Sequence, residues 1–305
     1  MFVSVLLTIM QQGLCYAIVA LGVYISYKIL NFPDLTVDSS FPLGGIVCFS
    51  LIQAGCPYVI AIIAAFAAGA LAGFITGFIH VKFKISGLLS GIITMTALLS
   101  INFAIAKGNV LIPYGDKTTL FNNSFTRLFG DDLTLLAVAN IIIMLVIVIL
   151  IKVLMDLFFK TKSGYMLRAV GDNEQMSIAL GSNSGFYKIL GLCLANGLVA
   201  LAGAIYSQYM TYYDNTSGTG MVVIALASVI IGTAIFKNLK IIKGTTAAII
   251  GALIYTAVLN AIIALGVPTL YLKLVMAGAF LIILILNTYV FSKEKKNKKG
   301  GVNHV

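Results

Sequence analysis

Two aspartates four residues apart, Asp34 and Asp38, stand in the segment NFPDLTVDSSFPLGG, between two apolar runs. The first run extends from about Phe2 to Leu30. The second covers only about a dozen residues before Cys56 and Pro57, against the roughly 20 that a full crossing needs. Carboxylates are costly in lipid, and Pro33 and Pro42 each remove a backbone donor. The chain from Asn31 to Cys56 is therefore expected to be a broken helix, its irregular backbone lying in protein-lined space. Free N–H groups at such a break can receive anions, either a solute carboxylate or the Asp38 side chain itself. Asp34, Thr36 and Asp38 are thus candidate hinge and pathway residues, with the carboxylates held by helix ends or hydroxyls and not cycling protons. The alternative is that Asn31–Ser40 forms an ordinary loop in water.

A second polar set lies in SGLLSGIITMTALLSINFAIA. Ser90, Thr94 and Ala97 share one helical face, and Thr96, Ser100 and Asn102 add hydroxyl and amide groups. A Ser or Thr can satisfy itself on its own helix backbone, so no one of them marks a site. Their density in one span makes Thr94, Thr96 and Asn102 candidate pathway residues.

The third set is KTKSGYMLRAVGDNEQMSIALGSNSGFYK, Lys160–Lys188, the longest polar stretch of the chain. Asp172 can cap a short helix, Gln175 stands three residues on as its capping-box partner, and Gly181 closes it. Met176, Ala179 and Leu180 fall on one face. A two-turn helix cannot bury itself and needs a surface or a partner protein to lie on.

These sets have to be positioned by membrane helices. Of 305 residues, 60% are hydrophobic and 10% charged, against the roughly 25% charged of soluble domains. Mean hydropathy is +1.04. The expected fold is all-α and polytopic, a single membrane domain over 1–291 with a basic tail at 292–305. Beside the first run and the broken segment, spans are expected at about Tyr58–His80, Ile85–Lys107, Leu133–Phe159, Ile189–Gln208, Met221–Phe236, Thr245–Leu265 and Leu270–Phe291, nine crossings in all. With Lys160–Lys188 inside, the basic residues divide 16 inside to 4 outside, which sets an N-out, C-in orientation. The net charge of +10 is dispersed between spans, which argues for topology and lipid contact and against nucleic acid. The first charge is Lys28, with no basic region ahead of the apolar run as in a cleavable signal, so that helix is expected to remain in the membrane. Lysines of the tail suit anionic lipid. Gly69, Gly73 and Gly77, with Ala65, form a small-residue stripe for close helix packing, within the subunit or between subunits.

Several chemistries are excluded. There is no Gly-Lys dipeptide, hence no phosphate-binding loop of the G-x-x-x-x-G-K-[ST] type. H-E-x-x-H is absent, and Gly181–Gly185 lacks a central serine. The four cysteines (Cys15, Cys48, Cys56, Cys193) have no metal-ligand spacing and read as small hydrophobes. His80 and His304 stand apart and form no metal pair. The chain reads as a conduit whose energy source lies elsewhere; an ATP-independent secondary transporter or channel, or a membrane-embedded enzyme or scaffold, are the rival classes.

YISYKILNFPDLTVDSSFPLGG, GIITMTALLSIN, RAVGDNEQMSIALGSNSGFYKILGLCLANGLVALAGAIYSQY and GMVVIALASVIIG occur in an order that resembles the permeases of ATP-binding-cassette (ABC) importers. The closest group is the branched-chain amino acid and ribose class, and within it the tryptophan and tyrosine uptake permeases. The resemblance runs from Leu21 to about Leu286. It implies a non-enzymatic cell-membrane subunit without cofactor, pairing with a second copy of itself, with ATP bound by separate cytosolic ATPases and solute delivered by an extracellular binding protein or lipoprotein. It places the ATPase-coupling motif on Arg168, Gly171, Asp172, Asn173, Met176, Leu180 and Gly181, in a cytoplasmic coupling loop 160–188. The solute it implies is a small polar one, an aromatic amino acid being favoured and a sugar or nucleoside the alternative. Ser39-Ser40 stands where the relatives often carry glycine and serine.

Overall fold

The computed structural model describes residues 2–123, 133–179, 181–237, 242–266, 268, 271 and 273–285. It is helical, with a single two-stranded pairing among the described residues. Seven helices are long and apolar enough to cross a membrane: Val5–Ile29, Tyr58–Phe83 (α3), Gly87–Ile105 (α4), Thr134–Phe158, Ser184–Met210 (α8), Asn215–Ile235 and Gly244–Ala264 (α10). Two shorter apolar helices, Val37–Gln53 (α2) and Lys273–Ile285 (α11), occupy the places of the expected second and ninth crossings. Leu180, the Arg127 region and the tail 292–305 lie outside the described residues.

The first helix (α1, Phe2–Val23) runs into a π-helical turn, Tyr24–Ile29, and stops. Asn31 takes a left-handed backbone (φ 52°), which asparagine tolerates better than branched residues, and the Phe32 N–H donates back to the Ser26 carbonyl at 2.8 Å. The chain then runs extended until α2 begins. The irregular stretch is thus confined to Asn31–Thr36. The break expected between Asn31 and Cys56 is present but short, and Pro42 is no part of it: α2 runs unbroken through that residue. Pro42 cannot donate to the Asp38 carbonyl, and that carbonyl instead packs against Gly218, where a Cβ would leave no room. An ordinary loop in water is also ruled out, because Phe32, Asp34, Thr36, Ser39 and Ser40 are all buried.

α3 and α8 form the most extensive helix pair. The Gly69, Gly73 and Gly77 stripe lies against Asn196, Leu192 and Ile189 of α8, so its close approach is made within the subunit. At the other end of the bundle β1 (Leu111–Pro113) pairs antiparallel with β2 (Tyr212–Asp214), Ile112 opposite Tyr213. After β2 a 3₁₀ turn, Asn215–Gly218, leads into α9 (Met221–Ile235). The long α5 (Leu133–Phe158) exposes Val146, Ile149, Leu150, Val153 and Leu154, an apolar face of the kind lipid covers.

The polar segment after α5 holds two helices where the sequence suggests one: α6 (Lys162–Asp172), capped by the Thr161 hydroxyl accepting from the Gly164 N–H at 3.3 Å, and α7 (Glu174–Ala179). Asp172 is therefore the last residue of α6 and not a cap. Asn173 takes that role, its Oδ1 accepting from the Met176 N–H at 3.0 Å. Gly181 does close the segment, with φ 78° and its N–H donated to the Ile178 carbonyl at 2.9 Å.

The tight α3–α8 contact yields a direct expectation. Gly73→Leu pushes a side chain into the Leu192 backbone and should destabilise the protein by about 1–3 kcal/mol or more. Ala67→Leu on the exposed face of the same helix should leave stability unchanged. Thermal midpoints of the two variants in detergent measure the difference.

Candidate permeation site

The site is built on the break. Asp34 Oδ1 accepts from the Thr36 N–H at 2.9 Å, which restarts the helix after the extended stretch. Asp34 Oδ2 accepts from Asn196 Nδ2 at 2.6 Å, and Asn196 Oδ1 accepts from the Ser40 hydroxyl at 2.9 Å. One fully buried α8 amide thus ties together the residues on both sides of the break. The Thr36 and Thr76 hydroxyls share a hydrogen bond at 2.9 Å, which fixes the break to α3 as well. Asp38 faces another helix altogether. Its Oδ1 accepts from the Val222 N–H at 2.9 Å and its Oδ2 from the Gly220 N–H at 3.2 Å. It therefore occupies the N-terminus of α9, where the helix dipole and unpaired amides favour a negative charge.

The candidate residues of α4 divide. Asn102 is buried and its Nδ2 donates to the Ser39 carbonyl at 3.0 Å, so it clamps α4 to α2. Its Oδ1 is buried without a protein partner. Thr94 is buried and bonded to the Ser90 carbonyl of its own helix at 3.0 Å. Thr96 alone of the three reaches open space. With Asp38, Ser39, Met95, Leu99, Asn215 and Thr219 it lines a cavity of about 220 Å³. Asn215 and Thr219 carry no signal in the sequence, because only the fold of β2 and the 3₁₀ turn brings them opposite Asp38. Asn196 was hidden for the same reason, reading as one polar residue in an apolar span.

α6 and α7 bear directly on the break. Leu167 and Val170 of α6 are buried, and Gly171 lies so close to the Ile29 carbonyl that a Cβ has no place there. Of the other expected coupling residues, Arg168 stacks its guanidinium over the Phe159 ring at 4.7 Å from the centroid. Met176, 61% exposed, and Ile178, 55% exposed, point away from the bundle. A second connection runs from α7: Glu174 pairs with Lys188 at 2.7 Å, and Lys188 approaches His80 Nε2 at 3.5 Å. The His80 ring packs edge-on against Phe32 of the break at 5.1 Å.

A bundle of apolar helices, an interrupted helix pinned by carboxylates and a cavity beside Asp38 are what a multi-pass membrane permease requires. The family model described as the permease component of branched-chain amino acid transport systems matches residues 5–285. The chain belongs to this family, and so is the membrane-spanning permease subunit of an ABC importer. It is 43% identical over 297 residues, 97% of this chain and 96% of the relative, to a tyrosine transport system permease protein of Clostridioides difficile. To the ribose import permease of Haemophilus influenzae it is 27% identical, covering 95% of this chain and 86% of the relative. Among solved structures, PsaBC from Streptococcus pneumoniae in complex with Fab aligns with TM-score 0.48 and 19% identity, covering 92% of this chain and 89% of that one.

The Glu174 tether carries a pH expectation. Its hydrogen bond with Lys188 holds the carboxyl below the usual carboxylate range, with the Lys188 charge acting in the same direction. A depressed folded pKa means the tether's stabilisation is full above the ordinary glutamate value and lost as pH falls through the lowered one. Amide exchange of 174–179, corrected for its intrinsic pH dependence, should rise relative to α6 only in that acid window. Glu174→Gln should raise it already at neutral pH.

Proposed function

We propose that the chain imports an amino acid with an aromatic side chain, working as a two-fold pair of identical subunits driven by separate ATPases. The observation that carries this reading is the two-faced α6–α7 platform. Its inner face rests on the Ile29–Leu30 turn through Gly171, and its outer face leaves Met176 and Ile178 uncovered. A partner that grips the outer face moves the break at the same time. A short helix with apolar side chains presented outward suits a groove in a partner protein. In this reading Arg168, Gly171, Asp172 and Asn173 shape the platform, and Met176, Ile178 and Leu180 insert.

The orientation N-out, C-in with nine membrane segments follows if α2 and α11 count as membrane-embedded. Supporting it, α6–α7 and the β1–β2 pair lie at opposite ends of α8, as an inner platform and an outer surface would. The outer surface then receives solute from a binding protein. The cavity beside Asp38 joins a carboxylate, hydroxyls and an amide to Met95 and Leu99, which suits a zwitterion with a polarisable ring, sulfur contacts to aromatic rings being favourable. The 43% identity to a tyrosine transport permease favours the aromatic class, and the lower identity to ribose permeases ranks sugars behind it.

Two measurements test this. Met176→Asp with Ile178→Asp should abolish ATPase association while membrane insertion persists; wild-type association would remove the platform's role. Thr96→Phe should fill the cavity and lower ATP-driven uptake of labelled tyrosine by about tenfold or more, with ATPase association intact. Uptake that ribose competes with and tryptophan does not would move the assignment to sugars.

A further inference from the structure

On the side of the bundle where α6 lies, a cavity of about 370 Å³ opens between the ends of three membrane helices and α6. Its wall is made of Tyr24 at the π-helical turn, Asp156 and Phe159 at the end of α5, Lys160, Tyr165 and Arg168 on or before α6, and Lys243 to Thr245 at the start of α10. The conduit does not account for it, and of the residues that shape the platform only Arg168 reaches it.

Its charge is unbalanced. Three cations, Lys160, Arg168 and Lys243, face one carboxylate, Asp156. That carboxylate is already committed to Lys152 at 3.1 Å, Lys243 at 2.9 Å and the Thr245 hydroxyl at 2.8 Å. Among the described residues neither Lys160 nor Arg168 forms an ion pair. The Arg168 guanidinium is nevertheless held in place, seated over the Phe159 ring, which itself stands edge-on to Tyr24. A planar cation fixed by stacking keeps its outward N–H donors ready for a bidentate acceptor. The first amides of α10 add to this field, since no side chain caps that helix. Gly244 packs directly on the Tyr24 hydroxyl, which brings the α10 N-terminus to the cavity wall.

We infer that this cavity binds a phosphate group, with Arg168, Lys160 and Lys243 as its ligands and the α10 amides behind them. Phosphate fits better than carboxylate, because cations at the ends of three helices, two of them without a carboxylate partner among the described residues, match a ligand with several acceptor oxygens around one centre. The source favoured by position is an anionic lipid, because the cavity sits at the ends of membrane helices, where head groups lie. A soluble phosphate ester offers the same chemistry. Occupancy would brace α6 against α5 and α10, so the site would set how firmly the platform is held. This goes beyond the transport reading and does not depend on the solute.

The test uses the purified full chain in neutral detergent, with thermal midpoints taken on adding phosphatidylglycerol, phosphatidylcholine or inorganic phosphate. Phosphatidylglycerol is expected to raise the midpoint by about 5 °C and phosphatidylcholine not to. Arg168→Gln with Lys243→Gln should lose the rise. Lys82→Gln with Lys84→Gln, which removes equal charge at exposed positions outside the cavity, should keep it. A rise with inorganic phosphate alone, lost in the cavity variant, would assign the site to a soluble phosphate. No rise with either, a rise retained by the cavity variant, or equal loss in the Lys82/Lys84 variant would overturn the site. Should the cavity variant misfold, Lys160→Gln alone, at an exposed position, should cut the rise about in half, and an undiminished rise there would also count against it.

Discussion

Everything in this molecule depends on how one helix can stop inside an apolar bundle without leaving its backbone groups unpaired. A buried donor or acceptor without a partner costs about 1–3 kcal/mol, and in lipid water is not there to help. Here the solution is two carboxylates with separate duties. Asp34 gathers the new start of the chain and one α8 amide, Asn196. Asp38 occupies the start of another helix, α9. Each negative charge that looks expensive in the sequence is thus matched by backbone or amide N–H groups, and the break becomes a fixed joint.

That joint is reached from both ends of the bundle. From below, Gly171 and the Lys188–His80–Phe32 contacts reach it. From above, Asn102 and the 3₁₀ turn close on α2. The α3–α8 pair passes it as a stiff wall, since backbone-to-backbone packing at Gly69 and Gly73 leaves nothing soft to compress. The π-helical turn Tyr24–Ile29 and the extended residues after it are the part of this joint that lies outside regular α-helix.

Much of this was legible in the chain. The break showed itself because the run after Asp38 was too short to cross and Pro33 stood just before it. That both carboxylates are held by partners followed from their cost in lipid. The glycine stripe announced a close helix pair, though not which partner it would meet. What stayed hidden was of two kinds. Asn196, Asn215 and Thr219 matter through contacts made far along the chain, and a lone amide in an apolar run gives no hint of them. The split of one expected inner helix into α6 and α7 is a local matter: Thr161, Leu167 and Val170 carry the pattern of a helix start and a buried face, and the cap is Asn173, one residue beyond the Asp172 that the capping-box spacing favours. The π-helical turn has no residue signature of its own.

The hydrogen bonds at the joint also set an order for biogenesis. Asp34 finds its amide 162 residues later, and Asp38 finds its helix end 184 residues later. A chain released into the bilayer helix by helix therefore presents both carboxylates before either partner has been synthesised. The first two helices have to wait, with the segment between them still hydrated or sheltered by the insertion machinery, until α8 and α9 emerge. β1 waits likewise for β2. Assembly of this bundle is in that sense closed from its C-terminal half, and a ribosome stalled before residue 196 would leave an N-terminal fragment in which Asp34 keeps only its local Thr36 partner and Asp38 lacks its helix end.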